Sequence, residues 1–334
     1  MTPAVREALL KGVAGATETH DAFGSRVHLE GGLKPVDVFG LIENLQIPLE
    51  FADLDKLLGA CVRVSSTNVG ILVTSRRDLH MQRFTAAHEL GHFVLEHEGS
   101  FDDEIRMPGD DARNRDLREV EADAFAAELL LPRWLVRAIC HRQNWWNADS
   151  LRNPSTVYQL SLRCGTSFSA TAWGLASHQY VNHSEAQRLV ANGAPVKAAK
   201  TKALQGVELP NAWSDVWVLS QSDHGSTLAA GPGDMLVLHL PERPATGYRW
   251  DLSGAVEQGF RVVADANDFD PDLIGGTGQR RIVLEAPRGG VRTVNLFQQR
   301  AFSGKRGSQS LQLTISCVGA LGAGAYSAAR DAWH

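Results

Sequence analysis

Residues 83–98 read Arg-Phe-Thr-Ala-Ala-His-Glu-Leu-Gly-His-Phe-Val-Leu-Glu-His-Glu, a largely apolar stretch broken by His88, Glu89 and His92. Two histidines four apart lie on one face of a helix. Both imidazoles can therefore converge on one ion, while Glu89, one step round, reaches a water held there. The flanking Phe84, Ala86, Ala87, Leu90, Phe93 and Val94 suit a buried helix, in which two histidines and a glutamate are costly without a ligand. The bland alternative is a hydrogen-bonded pair of core histidines. The chemistry this spacing equips is that of a zinc hydrolase: zinc acidifies a water and polarises a carbonyl, and Glu89 takes the proton.

A site of this kind needs a third protein ligand. Residues 117–132, Leu-Arg-Glu-Val-Glu-Ala-Asp-Ala-Phe-Ala-Ala-Glu-Leu-Leu-Leu-Pro, are strong helix formers that should stop at Pro132. Glu119 and Asp123 share a face, so Glu119 can bind the metal while Asp123 accepts the outer N–H of a ligand histidine. Glu121 points about 200° away from Glu119 on such a helix, so both cannot ligate one ion. Glu119 ranks first and Glu121 stays the alternative.

The run from Arg83 to His92, followed by Glu119 to Pro132, resembles the ImmA/IrrE family of bacterial and phage metallopeptidases. Ile47 to Gly59 and Gly70 to Arg76 are similar to what precedes the motif in that family, so the resemblance covers about residues 30–190. It implies zinc-dependent cleavage of a DNA-binding repressor that releases stress or phage genes.

With 334 residues the chain has room for two or three domains, and 43% hydrophobic with 21% charged residues is ordinary for a globular protein. A net charge of -5 gives no overall drive towards nucleic acid. Cys61, Cys140, Cys164 and Cys317 form no C-x-x-C pair and read as buried thiols in a reducing cytosol. No apolar run reaches the length of a membrane span, so a cytoplasmic protein is expected.

Along the chain, residues 4–16 favour a short helix ending at Gly15, and residues 35–47 a second one opening on Pro35. Two short β-like runs flank a turn at Thr67-Asn68-Val69-Gly70, which predicts a hairpin before the metal helix. If one of them is an edge strand, residues 71–75 are a candidate for holding an extended substrate. Residues 99–116 read as a mobile loop at the cleft mouth. His97 reads as a surface residue at the end of the metal helix. Residues 154–183 show two helices around Cys164-Gly165-Thr166-Ser167, the pattern of a helix-turn-helix. The second, Phe168 to Ser177, has no lysine or arginine to grip phosphate, so direct nucleic-acid binding is disfavoured and a packing or repressor-recognition module is expected. Residues 185–210 are Ala-, Lys- and Gly-rich, with Lys197, Lys200 and Lys202, and read as a solvated tether.

Beyond Trp213 short alternating runs between Gly/Pro turns predict a β-sandwich of about 110 residues. Within it Gly233 to Trp250 resembles the signature of chagasin-type inhibitors of papain-like cysteine proteases. The resemblance implies an immunoglobulin-like sandwich binding a protease through three loops, here Arg243 to Tyr248, Gly275 to Gly278 and Arg300 to Phe302. Pro244, Ala245, Thr246, Gly247, Arg300 and Phe302 are the contact residues it carries over. Ala245 stands where that family has threonine, and Arg300-Ala301-Phe302 where it has Arg-Pro-Trp, which weighs towards a reused recognition domain over an active inhibitor.

The expected architecture is therefore α+β: a zincin-like metallopeptidase domain over residues 1–150, a helix-turn-helix-like segment over 151–194, a linker over 195–210, an immunoglobulin-like all-β sandwich over 211–320 and a flexible tail over 321–334. The expected function is that of a zinc endopeptidase with His88, His92 and Glu119 as ligands, Glu89 as base and Asp123 behind a histidine. A flexible linker would let the sandwich dock over the cleft to recognise or regulate. The rivals are a cysteine protease inhibitor, or other protein-binding module, whose metal domain is structural, and a DNA-binding regulator built on residues 154–183.

Overall fold

The computed structural model describes residues 2–25, 32–63, 69–97, 100–102, 116–147, 149–191, 194–268, 278–300 and 303–322. The chain opens with α1 (Pro3–Ala22), capped by Thr2, which runs well past the Gly15 stop expected from sequence. Gly12 and Gly15 face inward and continue the helix because packing against a neighbour outweighs the modest helix penalty of glycine. A Cβ on Gly12 would lie 2.2 Å from the backbone oxygen of Glu121, so only glycine lets α1 come this close to the later helix carrying Glu121. α2 (Val38–Asn44) follows, with Asp37 rather than Pro35 at its start: the Asp37 carboxylate accepts from Gly40 N–H at 2.9 Å.

A four-stranded sheet then forms from β1 (Leu49–Ala52), β2 (Gly59–Arg63), β3 (Val69–Thr74) and β4 (Ser100–Asp102), in the order β1-β3-β2-β4. β2 and β3 pair antiparallel as the hairpin expectation required. β3 is bonded on both sides, to β1 and β2, so its backbone is spent and residues 71–74 cannot hold a substrate as an edge strand would. The edges are β1 and β4. Most of the segment 99–116, with its expected mobile loop, lies outside the described residues.

Between β3 and β4 runs α3 (Leu79–Val94), capped by the Asp78 carboxylate on Met81 N–H. α4 (Leu117–Leu130) starts on Asp116 and stops before Pro132, as expected. α5 (Arg133–Gln143), α6 (Pro154–Cys164), α7 (Phe168–Ser177), α8 (His183–Val190) and α9 (Ala194–Leu204) complete the helical part. α6 and α7 are the two helices foreseen around Gly165 (φ 65°), with Ser167 capping α7 through Ala170 N–H.

The sandwich consists of two four-stranded sheets. β5 (Val216–Ser220), β7 (Met235–Glu242), β10 (Gly278–Glu285) and β9 (Arg261–Asp268) form one; β6 (Thr227–Ala229), β12 (Arg306–Ser316), β11 (Val291–Arg300) and β8 (Tyr248–Asp251) form the other, with a short α10 (Ser253–Glu257) beside β11. Trp217, Leu238, Trp250, Ile282, Leu296 and Leu313 are among the residues that fill the space between them.

The join between the two parts departs most from expectation. Residues 195–204, expected as a tether, belong to α9, whose Ala199 and Leu204 are buried. Arg281 of β10 donates to the terminal oxygens of Ala203 and Leu204, at 3.0 and 2.5 Å, and Lys200 reaches Ser214 O at 2.8 Å. Alanine and lysine are as much helix as linker composition, and Val196, Ala199 and Ala203 at three- and four-residue spacing supply the apolar face. α6 stitches the two parts together: Tyr158 and Leu162 lie in the sandwich core, while Val157, Leu160 and Cys164 lie in the core of the helical domain. Gln159 bonds along β5, donating to Val216 O and accepting from Val218 N–H. Arg163 makes a buried ion pair with Asp223 at 2.9 Å. The expected tail also begins pinned: Leu321 is buried, its N–H and C=O both bonded to the Gln82 side chain of α3 at 2.7 and 2.8 Å. Residues 323–334 lie outside the described residues.

Candidate metal centre

α3 turns His88 and His92 to the same side, and α4 packs across it with Glu119 and Asp123 one turn apart. His88 Nε2 and His92 Nε2 stand 3.0 Å apart. The Glu119 carboxylate lies 3.4 Å from the first and 3.5 Å from the second. Both histidines are about 1% exposed, whereas the Glu119 side chain is 30% exposed, so the cluster opens towards solvent on the carboxylate side.

The donor set fits zinc. Tetrahedral coordination at the usual Zn–N and Zn–O lengths separates ligand atoms by ~3.3 Å, close to all three observed separations. The outer contacts fix the ring nitrogens as a metal needs them. Asp123 Oδ1 lies 2.9 Å from His88 Nδ1, which favours the tautomer with its proton on Nδ1 and turns the Nε2 lone pair inward. Three electron-pair donors then meet in a largely buried space, where their mutual repulsion is relieved by a cation.

Glu89, on the same helix, is fully buried. The start of β2 closes over it: a Cβ on Gly59 would come within 2.5 Å of Thr85 and 2.7 Å of the Glu89 carboxylate. Glycine at that position leaves the carboxylate its room.

Glu121 points to the far side of α4, where its Oε2 lies 2.6 Å from Lys11 Nζ and 2.9 Å from His97 Nε2. Burial works against its charge, but these two partners hold its carboxyl below the usual range. Among the described residues the group that can hold a metal is His88, His92 and Glu119. His97, expected on the surface, is 6% exposed and its Nδ1 lies 2.9 Å from His92 Nδ1. The chain turns back at Glu96, a non-glycine residue at φ 58°, so that His97 N–H closes on His92 O at 2.9 Å. Nothing in the sequence marks that left-handed residue, which is why His97 escapes a reading from spacing.

The carried-over loop residues occupy the end of the sandwich where β7 finishes. Pro244, Ala245 and Thr246 form a 3-10 turn, closed by the Thr246 hydroxyl donating to Arg243 O at 2.7 Å, and Gly247 follows at φ 74°. Ala245, Thr246 and Gly247 are exposed. The Arg300 guanidinium lies over the Tyr248 ring, 5.0 Å from its centre. Phe302 and residues 275–277 lie outside the described residues. Beneath the turn, Glu242 is buried between Arg249 and Arg280 and accepts from Trp250 N–H at 3.0 Å. Met235, at the opposite end of β7, is bonded to Asp215, which meets Tyr158 of α6 and lies 4.0 Å from His80 of α3. Seven steps of ~3.4 Å separate the two ends. The loop end therefore lies at the other end of β7 from the α3 contact.

Two family models support a metallopeptidase-like domain joined to an inhibitor-like sandwich. Residues 42–172 match the peptidase family model described as the IrrE N-terminal-like domain, and residues 230–316 match that of the chagasin family of peptidase inhibitors. Chagasin of Trypanosoma cruzi is 25% identical over 91 residues, 26% of this chain and 83% of that protein. The cysteine protease inhibitor EhICP2 of Entamoeba histolytica is 22% identical, with 32% of this chain and 99% of that chain covered and a TM-score of 0.29. Amebosin is 18% identical over 31% of this chain and 97% of its own, at a TM-score of 0.27.

Proposed function

We propose that the chain is a zinc-dependent endopeptidase acting on a protein substrate. The observation that carries this reading is the convergence of His88, His92 and Glu119, with donor atoms within 4.8 Å of one another, beside a buried Glu89 on the same helix. The IrrE N-terminal-like match supports it. Zinc held by His88, His92 and Glu119 would acidify a water and polarise a carbonyl. Glu89 takes the proton of the attacking water and passes it to the leaving amine. Asp123 holds His88 in the ligating tautomer. A DNA-binding repressor is the substrate class proposed, on the family resemblance of the paired motifs. A reducing, cytoplasmic setting is supported by four buried free thiols, of which burial pushes Cys140 and Cys317 up to about 11. Among the described residues no helix is long and apolar enough to cross a membrane.

The sandwich is read as a protein-binding module. Its chagasin-family match and the exposed residues Ala245, Thr246 and Gly247 support a papain-like protease as the partner class, with Ala245 in place of the family's threonine as the departure to test. The peptidase reading is tested by zinc content and cleavage of unfolded casein, followed by a purified helix-turn-helix repressor. Glu89→Gln should keep its zinc and lose about 10²–10⁴-fold in rate. Undiminished cleavage by that variant removes Glu89 from the reaction.

A further inference from the structure

His88 and His92 are steadied differently. Asp123 stands directly behind His88, whereas a second imidazole stands behind His92, with a carboxylate beyond it. We infer that His97 and Glu121 are positioning residues that fix His92 for metal binding, with Lys11 of α1 as the outermost link. The inference rests on the reading of His88, His92 and Glu119 as a metal site and extends it to residues outside that set.

Proton placement along the chain has one consistent solution. For His92 Nε2 to offer its lone pair, Nδ1 must carry the proton and donate it to His97 Nδ1 at 2.9 Å. His97 then carries its own proton on Nε2 and donates to Glu121 Oε2 at 2.9 Å. Lys11 donates to that same oxygen at 2.6 Å. Burial of His97 shields these bonds from competing water. Without the chain, the Nε2–H tautomer of His92 would point a donor into the site and weaken the ligand set. Lys11 reaches its place because Gly12 lets α1 lie against the backbone of Glu121. α1 also precedes residues 42–172, so this outermost link lies outside the matched family domain.

The test uses the full chain and measures zinc affinity by chelator competition, together with the visible spectrum of the cobalt(II)-loaded protein. His97→Phe, which keeps a flat ring but no nitrogen, should weaken zinc affinity about 10–100-fold and alter the cobalt band intensities. His97→Gln, which can both accept from His92 and donate to Glu121, should recover most of that loss. Glu121→Gln should fall between them, and Lys11→Met should cost under about 3-fold because Lys11 is half exposed. A purely structural role for His97 would lower the melting temperature of the metal-free protein and leave affinity unchanged. Wild-type affinity in His97→Phe overturns the inference while leaving the metal reading intact. If His97→Phe does not fold, Glu121→Gln decides in the same way. Failure of the wild type to bind zinc, or wild-type binding in His92→Ala, overturns the metal reading itself.

Discussion

Around His88 and His92 the polar atoms are buried, converge on one another and are set by residues from two helices. At Ala245, Thr246 and Gly247 the polar atoms are exposed and close on their own backbone, over a buried frame of Glu242, Arg249, Arg280 and Trp250. The first arrangement is costly until something positive joins it; the second is complete as it stands and offers shape. Under the proposed function the helical domain carries the chemistry and the sandwich the recognition. α6 holds the two regions in one body, with the loop end at the other end of β7 from the α3 contact.

If the comparison between a reactive and a recognising region within one body is right, breaking the join should have the largest effect. Arg163→Ala leaves the buried Asp223 its bonds from Gln143 and Ser220 N–H but no cationic partner, and should cost about 3–5 kcal/mol. Calorimetry should also show both cores melting in one transition in the wild type, whereas two well-separated transitions would make the regions independent.

Asp215 sharpens the same point through pH. Burial alone would raise its pKa, yet His80, Lys200 and Tyr158 hold it down, from 3.8 to about 2. A folded pKa below the unfolded one gives stability that is full above pH ~4 and is lost as pH falls towards 2, here about 2 kcal/mol. The stability gap between wild type and Asp215→Asn should narrow across that window. A gap that stays constant with pH would place the effect in packing instead.

The smallest effect belongs to the loop end. Thr246→Ala removes an exposed turn bond and should cost under about 1 kcal/mol, with zinc content and cleavage unchanged. A change in either would tie the loop to the cleft.

The contrast also governs what could be read from sequence. The convergence of the cluster is legible because helical periodicity places His88 with His92, and Glu119 with Asp123, over separations of four residues. The sandwich was legible from its alternating strands and from Gly247 at a turn that needs a positive φ. The join was not: the partners of Gln159, Arg163 and Gln82 lie about 60 to 240 residues away, and no local pattern encodes such pairs. α9 resembles a tether in sequence because its small and basic residues suit solvent equally well until Arg281 and the sandwich core supply partners. The burial of His97 has no sequence signal because the turn at Glu96 carries no glycine or asparagine to announce it.

The central claim is that this chain carries one zinc site, in its helical domain, made by His88, His92 and Glu119. It is tested most directly by metal analysis of the purified full chain after dialysis against metal-free buffer, beside His92→Ala and Glu119→Gln. The account predicts about one zinc per chain in the wild type, most of it lost from His92→Ala, and a markedly weaker hold in Glu119→Gln. Zinc retained at wild-type level by His92→Ala, or lost more readily from Glu121→Gln than from Glu119→Gln, would contradict it.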